Sequence, residues 1–344
     1  MDVFKHKAKY LIIKTTKLAL TLKNKIRKCF SLIPASVCLL LSCLLVSLPV
    51  YAKKPSILII ADTQIKIHQQ ISTHLKEILL NEQSFSVEIN PLNDTTQQQI
   101  ALYKPSLIIT LGIKAAKLAP PSSIPTLYTL ISENILQKIS VCKSPNCKNK
   151  SLQSTHSYAI FLDQPLARQL NFLSLLLPTA KRIGVLTAPF SLNKLKNLYT
   201  ESEKLKLTLN TRHLDNESML NRKLNALINQ IDVLFALPDP LIHNKNNIPN
   251  LLLSTYRYNI PVIGFSKTYV NAGAIAAIYS SPEQITKHIA ELAQKIITTP
   301  ASIKYNCTLA KYFSIAINKS VARSLELHLP DKQKIKSRLL QLEK

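Results

Sequence analysis

The sequence predicts an α/β protein with two Rossmann-like lobes, each built on a parallel β-sheet. Short apolar runs, which suit strands buried on both faces, alternate with helical periodicity along the chain. The alternation starts near residue 56, is interrupted by a polar, lysine-rich stretch over 140–155, and restarts near residue 157. A chain of 344 residues is long enough to bury the cores of two such lobes.

The first series contains four predicted strands, over residues 56–61, 84–89, 106–111 and 126–131. The first of them reads S-I-L-I-I-A, an uninterrupted apolar run typical of a buried strand. A helix is predicted over 65–80, because Ile71 and Leu75 recur at helical spacing, and another over 95–103. Gly112 follows the third strand, where it permits a tight turn that directs a helix N-terminus towards the sheet edge.

The second series contains seven predicted strands, over residues 157–162, 182–187, 208–214, 233–237, 261–265, 274–279 and 312–317. Six helices are predicted between and after them, over residues 164–177, 192–205, 219–230, 248–258, 281–297 and 319–327. Pro165 and Pro282 fall in first helical turns, where an amide hydrogen has no helical partner, and Ser281 is placed to cap its helix. The lysine-rich segment after Pro330 is expected to be a frayed tail.

The N-terminal segment matches a secretory signal peptide. Nine Lys and Arg precede an uncharged run over 30–50, and the V-Y-A sequence ending at Ala52 offers small or apolar residues for cleavage. We therefore expect export to the periplasm and cleavage after Ala52. An uncleaved membrane anchor is the alternative, because an apolar run of this length is long enough to span a bilayer. Cys43 also offers a weak match to a lipidation site.

The cysteines are consistent with an oxidising compartment. Three of the six precede Ala52. Cys142 and Cys147 are separated by four residues in the polar stretch, a spacing that allows a small disulfide. A metal site at this pair needs further ligands, and none is close in the sequence. Cys307 is then expected to be a free, buried thiol.

The chain is strongly basic, with 44 Lys and Arg, 19 Asp and Glu and a formal net charge of +25. Such a surface can attract nucleic acid, anionic lipid or acidic ligands. The lysines are scattered, however, and no nucleic-acid recognition motif accompanies them. A solvated surface without a nucleic-acid partner is the favoured interpretation.

Several catalytic and cofactor motifs are missing from the sequence. The chain has no G-x-x-x-x-G-K-[ST], so it is not a transporter ATPase, and no G-x-G-x-x-G. It also has no G-x-S-x-G or H-E-x-x-H. The sequence therefore predicts neither an enzyme nor a cofactor, and its eight dispersed histidines predict no metal site.

Four segments together carry a family resemblance. L-P-D-P, a helical pattern, I-P-V-I-G-F-S and Y-V-N-A-G-A-I-A-A follow one another over 237–277. T-L-G-I-K-A-A begins at Thr110, L-D-Q-P-L-A-R-Q-L at Leu162 and S-V-A-R-S-L-E-L-H-L-P at Ser320. In order and spacing these segments resemble the ABC transporter substrate-binding proteins of the tryptophan/tyrosine-binding type. The resemblance implies the type I periplasmic binding protein fold, in which the chain crosses between the lobes three times.

This fold implies a division of the chain into a signal peptide, two lobes that each receive a later segment, and a tail. The expected limits are a signal peptide over 1–52, lobe 1 over 53–160 with 278–302, lobe 2 over 161–277 with 305–330, and a basic tail over 331–344. We place the crossings near 157–163, 274–280 and 300–312.

Ligands of open parallel sheets lie outside the carboxyl ends of the strands. The residues expected there are Asp62, Thr63, Gly112, Ile113, Asp163, Gln164, Pro189, Phe190, Asp239, Ser266 and Tyr269. The carboxylate of Asp239 is suited to a ligand's amino group, but its position between two prolines is equally typical of a turn. Phe190 and Tyr269 are suited either to stacking on a flat ligand or to packing inside the lobe.

The sequence thus predicts a periplasmic solute-binding protein that closes on a small organic ligand, with an amino acid as the first candidate. A membrane permease and a separate ATPase are partners that the resemblance implies. A periplasmic sensing module that signals to a receptor has the same fold and is the alternative. A periplasmic enzyme using Asp62 and Asp239 is the third hypothesis, and the missing nucleophile–base motif argues against it.

Overall fold

The protein is described here by a computed structural model that covers residues 54–81, 84–119, 124–139, 156–303 and 306–343. The predicted signal peptide and the Cys142–Cys147 pair lie outside these residues. The described residues form two six-stranded sheets with helices between the strands, which confirms the predicted α/β class.

The strands in the described residues are β1 (Ser56–Ala61), β2 (Ser86–Pro91), β3 (Leu107–Leu111), β4 (Thr126–Ile131), β5 (Ser157–Phe161), β6 (Arg182–Thr187), β7 (Thr208–His213), β8 (Val233–Phe235), β9 (Val262–Gly264), β10 (Ala276–Tyr279), β11 (Cys307–Thr308) and β12 (Ser314–Ile317). The α-helices in the same residues are α1 (Lys66–Asn81), α2 (Gln97–Tyr103), α3 (Ile113–Leu118), α4 (Glu133–Lys138), α5 (Leu166–Leu176), α6 (Leu195–Lys204), α7 (Leu220–Ile228), α8 (Asn247–Arg257), α9 (Lys267–Ala272), α10 (Pro282–Thr298), α11 (Lys319–Ser324) and α12 (Lys332–Leu342).

Each lobe is built on one of the two sheets. The first sheet has the order β11-β5-β4-β3-β1-β2, and all of its neighbouring strands are parallel. The second has the order β12-β10-β9-β8-β6-β7 and is parallel except for β12, which runs antiparallel to β10. Because helices cover both faces, the central strands are buried throughout, which explains their uninterrupted apolar runs.

Both faces of each sheet carry a hydrophobic core. On the first sheet, Leu75 of α1 and Ile289 of α10 pack on one face, and Ile100 of α2 packs on the other. On the second sheet, α5 and α6 cover one face, and α7, α8 and α9 cover the other. Gly184 of β6 is tightly enclosed, since an added Cβ would lie 2.4 Å from Cδ1 of Ile231.

The chain passes between the lobes three times. The first crossing (residues 162–165) leads from β5 in the first sheet to α5 on the second. The second crossing (residues 280–281) leads from β10 back to α10 on the first sheet. The third crossing (residues 309–313) leads from β11 to β12. Each lobe is therefore completed by a segment from the C-terminal third of the chain.

The C-terminal segment differs from the predicted frayed tail. Residues 332–342 form α12, and the Asp331 carboxylate caps it by accepting hydrogen bonds from the amides of Gln333 and Lys334 at 2.9 and 3.1 Å. Ile335 and Leu339 are buried against the core of the second lobe. Their spacing of four residues places both side chains on one helix face, which is why this lysine-rich segment packs.

Candidate functional site

Two adjoining chambers lie between the lobes, at the carboxyl ends of the strands. The larger chamber, of about 490 Å³, includes Phe161 at the end of β5 and Leu237 beyond β8. The smaller chamber, of about 350 Å³, includes Ser132 beyond β4 and Ser266 beyond β9. Asp163 is among the residues that line both chambers, so the first crossing runs between them.

Asp163 is the one carboxylate among the described residues that lines both chambers. Its Oδ1 pairs with Nζ of Lys194, and the two side chains are only 12% and 15% exposed. Its Oδ2 is buried and has no hydrogen-bond partner among the described residues. The hydroxyls of Ser132 in the smaller chamber and Thr308 in the larger are likewise buried and unpartnered in this part of the chain. Because buried polar atoms almost always have partners, these three atoms mark the chambers as a place for a polar ligand.

Glu133, the first residue of α4, lines the larger chamber. Burial and, to a smaller extent, the negative charge of Asp163 together raise the pKa of its carboxyl to about 7, against the opposing effect of Lys194. Two carboxylates and one lysine thus interact at this end of the larger chamber.

Gln164 joins the three crossings to one another. Its Nε2 donates to Oγ of Ser280 in the second crossing at 2.8 Å, and that hydroxyl donates to the carbonyl of Tyr312 in the third at 2.6 Å. Its Oε1 accepts from Arg168 Nη1 at 2.8 Å, and the same nitrogen donates to the carbonyl of Ala310 at 2.7 Å. Both ends of the Gln164 amide are therefore engaged in the hinge, although the residue also borders both chambers.

Four predicted site residues lie at the edge of the first lobe and do not line either chamber. The Asp62 carboxylate accepts from the Gln64 amide at 3.2 Å and lies 3.5 Å from Nζ of Lys114. Thr63 follows it in the same turn. Gly112 has φ 87°, and an added Cβ would lie 2.7 Å from Cε1 of His68, so only glycine fits there. Ile113 begins α3 and is 40% exposed.

Pro189 and Phe190 lie at the corresponding edge of the second lobe, after β6. The Phe190 carbonyl accepts a hydrogen bond from Nδ2 of Asn134, which belongs to α4 of the first lobe. Nδ2 of Asn193 also donates to Oδ1 of Asn134. This edge therefore forms a contact between the lobes, and neither Pro189 nor Phe190 lines a chamber.

Asp239 is a turn residue in this structure. Its Oδ2 accepts from the amide and the hydroxyl of Ser191 at 2.9 and 2.8 Å, and its Oδ1 accepts from the amide of Leu241 at 3.1 Å. The residue is 3% exposed. Both carboxylate oxygens are used inside the second lobe, so the turn interpretation fits this residue and contact with a ligand does not.

Ser266 and Tyr269 belong to the start of α9 but face different surroundings. The Ser266 hydroxyl caps the helix by accepting from the Tyr269 amide at 3.1 Å, and the residue lines the smaller chamber. Tyr269 is 2% exposed, and its hydroxyl lies 3.0 Å from Nδ1 of His243. Burial raises the pKa of Tyr269 and lowers that of His243 to about 3, so both groups are neutral. Tyr269 therefore packs inside the lobe, which is the second of its two predicted roles.

Of the eleven predicted residues, Asp163, Gln164 and Ser266 are brought together at the chambers. The sequence interpretation missed Ser132, Glu133 and Lys194. Ser132 and Glu133 directly follow β4, so the expectation that ligands lie at the carboxyl ends of strands applies to them as well. Lys194 is the last residue of a short 3₁₀ helix, and nothing in its local sequence marks it.

Cys307 is disulfide-bonded, which corrects the expectation of a free thiol. It belongs to β11, beside the larger chamber, and its partner lies outside the described residues. The expected free thiol rested on pairing Cys142 with Cys147, which the described residues do not include.

The described residues contain neither a metal-binding cluster nor a membrane-spanning helix. No group of three or more His, Cys, Asp or Glu side chains within them is arranged to hold a metal ion. None of the helices in this part of the chain has the length and apolar character needed to cross a membrane.

Two α/β lobes, three crossings and a ligand-sized cleft at the strand ends define a type I periplasmic binding protein fold. The chain belongs to the ABC transporter substrate-binding protein family, whose sequence model matches residues 162–337, just over half of the chain. The family resemblance seen in the sequence is thereby confirmed. No curated protein matches the sequence.

Solved structures of related architecture support the fold. A ligand-free, open substrate-binding protein with adhesive properties from Clostridium difficile is 18% identical with a TM-score of 0.64, covering 81% of this chain and 97% of the other. An ABC domain in complex with L-Trp from Streptococcus pneumoniae is 15% identical with a TM-score of 0.54, covering 81% and 97%. A conserved domain protein from Vibrio cholerae is 17% identical with a TM-score of 0.55, covering 83% and 98%. At these identities the likeness establishes the fold alone.

Proposed function

We propose that this protein is the periplasmic solute-binding component of an ABC uptake system and closes its two lobes around a small organic ligand. The supporting observation is the pair of chambers between the lobes, in which Asp163, Ser132 and Thr308 present buried polar atoms without partners in the described residues. Their volumes of about 490 and 350 Å³ are those of small-molecule sites. These polar atoms, buried beside a cleft without partners in the described residues, support a binding protein in preference to an enzyme.

An amino acid is the first candidate for the ligand. The cleft offers a carboxylate at Asp163 for an ammonium group and hydroxyls at Ser132 and Ser266 for a polar group on the same ligand. Phe161 and Leu237 offer apolar walls for a side chain. The Streptococcus pneumoniae domain of similar fold, solved with L-Trp, also supports this choice.

The three crossings supply the hinge for closure. Their backbones are joined through the Gln164 and Ser280 side chains, while the chambers lie beside them. Rotation of the lobes about these segments changes the width of the cleft. The Asn134 contact with Phe190 then joins the two lobes at the rim of the cleft.

A membrane permease and a separate ATPase complete the proposed uptake system. The chain itself has no phosphate-binding G-x-x-x-x-G-K-[ST] motif, so the energy source must lie in another polypeptide. The basic and then apolar N-terminal segment supports export to the periplasm, where such a protein meets its ligand.

Thermal-shift screening of the purified protein tests this function. A ligand present at 100 times its dissociation constant should stabilise the folded protein by about 2.7 kcal/mol, which corresponds to a shift of several degrees. The screen should include amino acids, sugars and small carboxylic acids. Saturable stabilisation by one chemical class, with no turnover of the compound by mass spectrometry, is the expected result.

The control variant is Asp215→Asn, whose carboxylate is 75% exposed. It should respond to the ligand as the wild type does, whereas Asp163→Asn should respond less. If none of these classes stabilises the protein, or if the bound compound is converted into a product, the solute-binding proposal is wrong.

A further inference from the structure

The larger chamber has an acidic end and mostly apolar walls. Glu133 and Asp163 lie close enough for the charge of one to raise the pKa of the other. A third carboxylate, Glu201 of α6, lines the same chamber. Phe161, Leu166 and other apolar side chains form the walls. A chamber of this composition favours a ligand with one cationic group and an apolar body.

Lys194 does not balance this negative charge. Among the described residues that line the chamber it is the only lysine or arginine, and its Nζ is already paired with Oδ1 of Asp163. A ligand carboxylate would meet three carboxylates, and the two cations beside them, Lys194 and Lys204, are already paired with Asp163 and Glu201. The acceptors that remain are Oδ2 of Asp163 and Oγ1 of Thr308, both buried without partners in the described residues. These oxygens favour a ligand that donates hydrogen bonds.

We propose that the larger chamber recognises the ammonium group of an organic primary amine, held between Asp163 and Glu133, and that a carboxylate on the ligand is not required. This inference rests on the proposed solute-binding function and narrows its substrate class. An ammonium group has three N–H donors and no acceptor, which matches the Asp163, Glu133 and Thr308 oxygens that line the chamber. Charge-assisted hydrogen bonds of this kind are about twice as strong as neutral ones.

The apolar walls select the rest of the molecule. Phe161, Leu166, Leu237 and Leu309 present side chains that offer no hydrogen bonds to hydroxyl groups. A sugar in this chamber would leave most of its hydroxyls unpaired, which is costly in a buried site. An alkyl or aryl amine leaves none.

Matched ligand sets test the proposal by isothermal titration calorimetry and thermal shift. The amines are isopentylamine, phenethylamine and tryptamine. Each is compared with its amino acid (leucine, phenylalanine or tryptophan), its acid (4-methylpentanoate, 3-phenylpropionate or indole-3-propionate) and the corresponding alcohol. We expect at least one amine to bind saturably, and the matched acid and alcohol to bind at least tenfold more weakly or not at all.

The outcomes separate this inference from the function on which it rests. If amino acids bind but the matched amines do not, the protein is a solute-binding protein and the amine proposal is refuted. Binding of acids or sugars without amines refutes it in the same way. If no compound binds, both proposals fail.

Variants then locate the ammonium group. Glu133→Gln and Asp163→Asn should each weaken amine binding tenfold or more, because each removes a carboxyl group that can ionise against the ammonium group and keeps the shape of the side chain. Asp215→Asn, with an exposed carboxylate, is the matched control and should bind the amine as the wild type does. Glu133→Gln is the decisive variant, since it leaves the Asp163–Lys194 pair intact. Unchanged amine affinity in a folded Glu133→Gln protein would overturn the assignment.

Discussion

Replacing Arg168 with methionine should destabilise the protein by about 3–5 kcal/mol, because a buried, fully engaged cation is lost. The Arg168 side chain is 6% exposed, and its guanidinium donates to Glu343 at the end of α12 as well as to Gln164 and the Ala310 carbonyl. It also lies 4.7 Å from the centre of the Phe313 ring. Methionine keeps most of the packing and removes every hydrogen bond.

The magnitude follows from what each partner loses. The Ala310 carbonyl and Gln164 Oε1 are left buried without this donor, at about 1–2 kcal/mol each. Loss of the cation–π contact adds about 1 kcal/mol. Glu343 adds less, because its side chain is 31% exposed and regains water. The sum reaches the range typical of a broken buried ion pair.

Guanidinium unfolding followed by circular dichroism measures this change. Lys204→Met is the control, since Lys204 pairs with Glu201 on the surface and its loss should change the free energy of unfolding by less than about 0.5 kcal/mol. Glu343→Gln should fall between the two, at about 1 kcal/mol. If Arg168→Met lies within 1 kcal/mol of the wild type at an unchanged m-value, the hinge is not held by this side chain.

Three other predictions follow from the site. Burial holds the pKa of Glu133 near 7, above the ordinary value of 4.5, so the folded protein favours the neutral carboxyl. The stability that this neutral carboxyl contributes is present at pH 5 and is lost as the pH rises through 7. Glu133→Gln should therefore gain in melting temperature relative to the wild type between pH 5 and 8, and parallel pH curves would contradict this. Asp239→Ala should lower the free energy of unfolding by about 2–4 kcal/mol, because two donors of Ser191 lose their acceptor. The ligand affinity should stay unchanged. Weakened binding at full stability would show that Asp239 contacts the ligand. Non-reducing peptide mapping should recover Cys307 in a disulfide, and alkylation of its thiol in the native, unreduced protein would disprove the pairing.

The strands were the most predictable part of the fold. Parallel strands covered on both faces must be apolar at every position, so S-I-L-I-I-A in β1 is visible without any partner. Short helices were not predictable in this way. α3, α4 and α9 have six residues each, fewer than two turns, and so display no periodicity that the sequence could reveal. Missing α4 concealed Glu133 and Asn134, which shape the cleft.

Side-chain roles at the strand ends depend on distant residues. The sequence P-D-P around Asp239 fits a ligand contact and a turn equally, and the outcome is decided by Ser191, which is 48 residues away in the chain. The C-terminal helix α12 was predictable from its own sequence. Asp331 is a suitable cap, and Ile335 and Leu339 have helical spacing, but the many lysines obscured this pattern.

The first crossing places the proposed ligand contact directly beside the hinge, in two consecutive residues. Asp163 has a carboxylate oxygen without a partner among the described residues, and Gln164 uses both ends of its amide to join the three crossings. A ligand that pulls on Asp163 therefore acts on the backbone of the residue that fixes the lobe angle. A ligand shifts a conformational equilibrium only through its differential affinity for the two states. We expect a contact at Asp163 to produce such a difference, because its carboxylate is carried by the residue next to the hinge amide of Gln164.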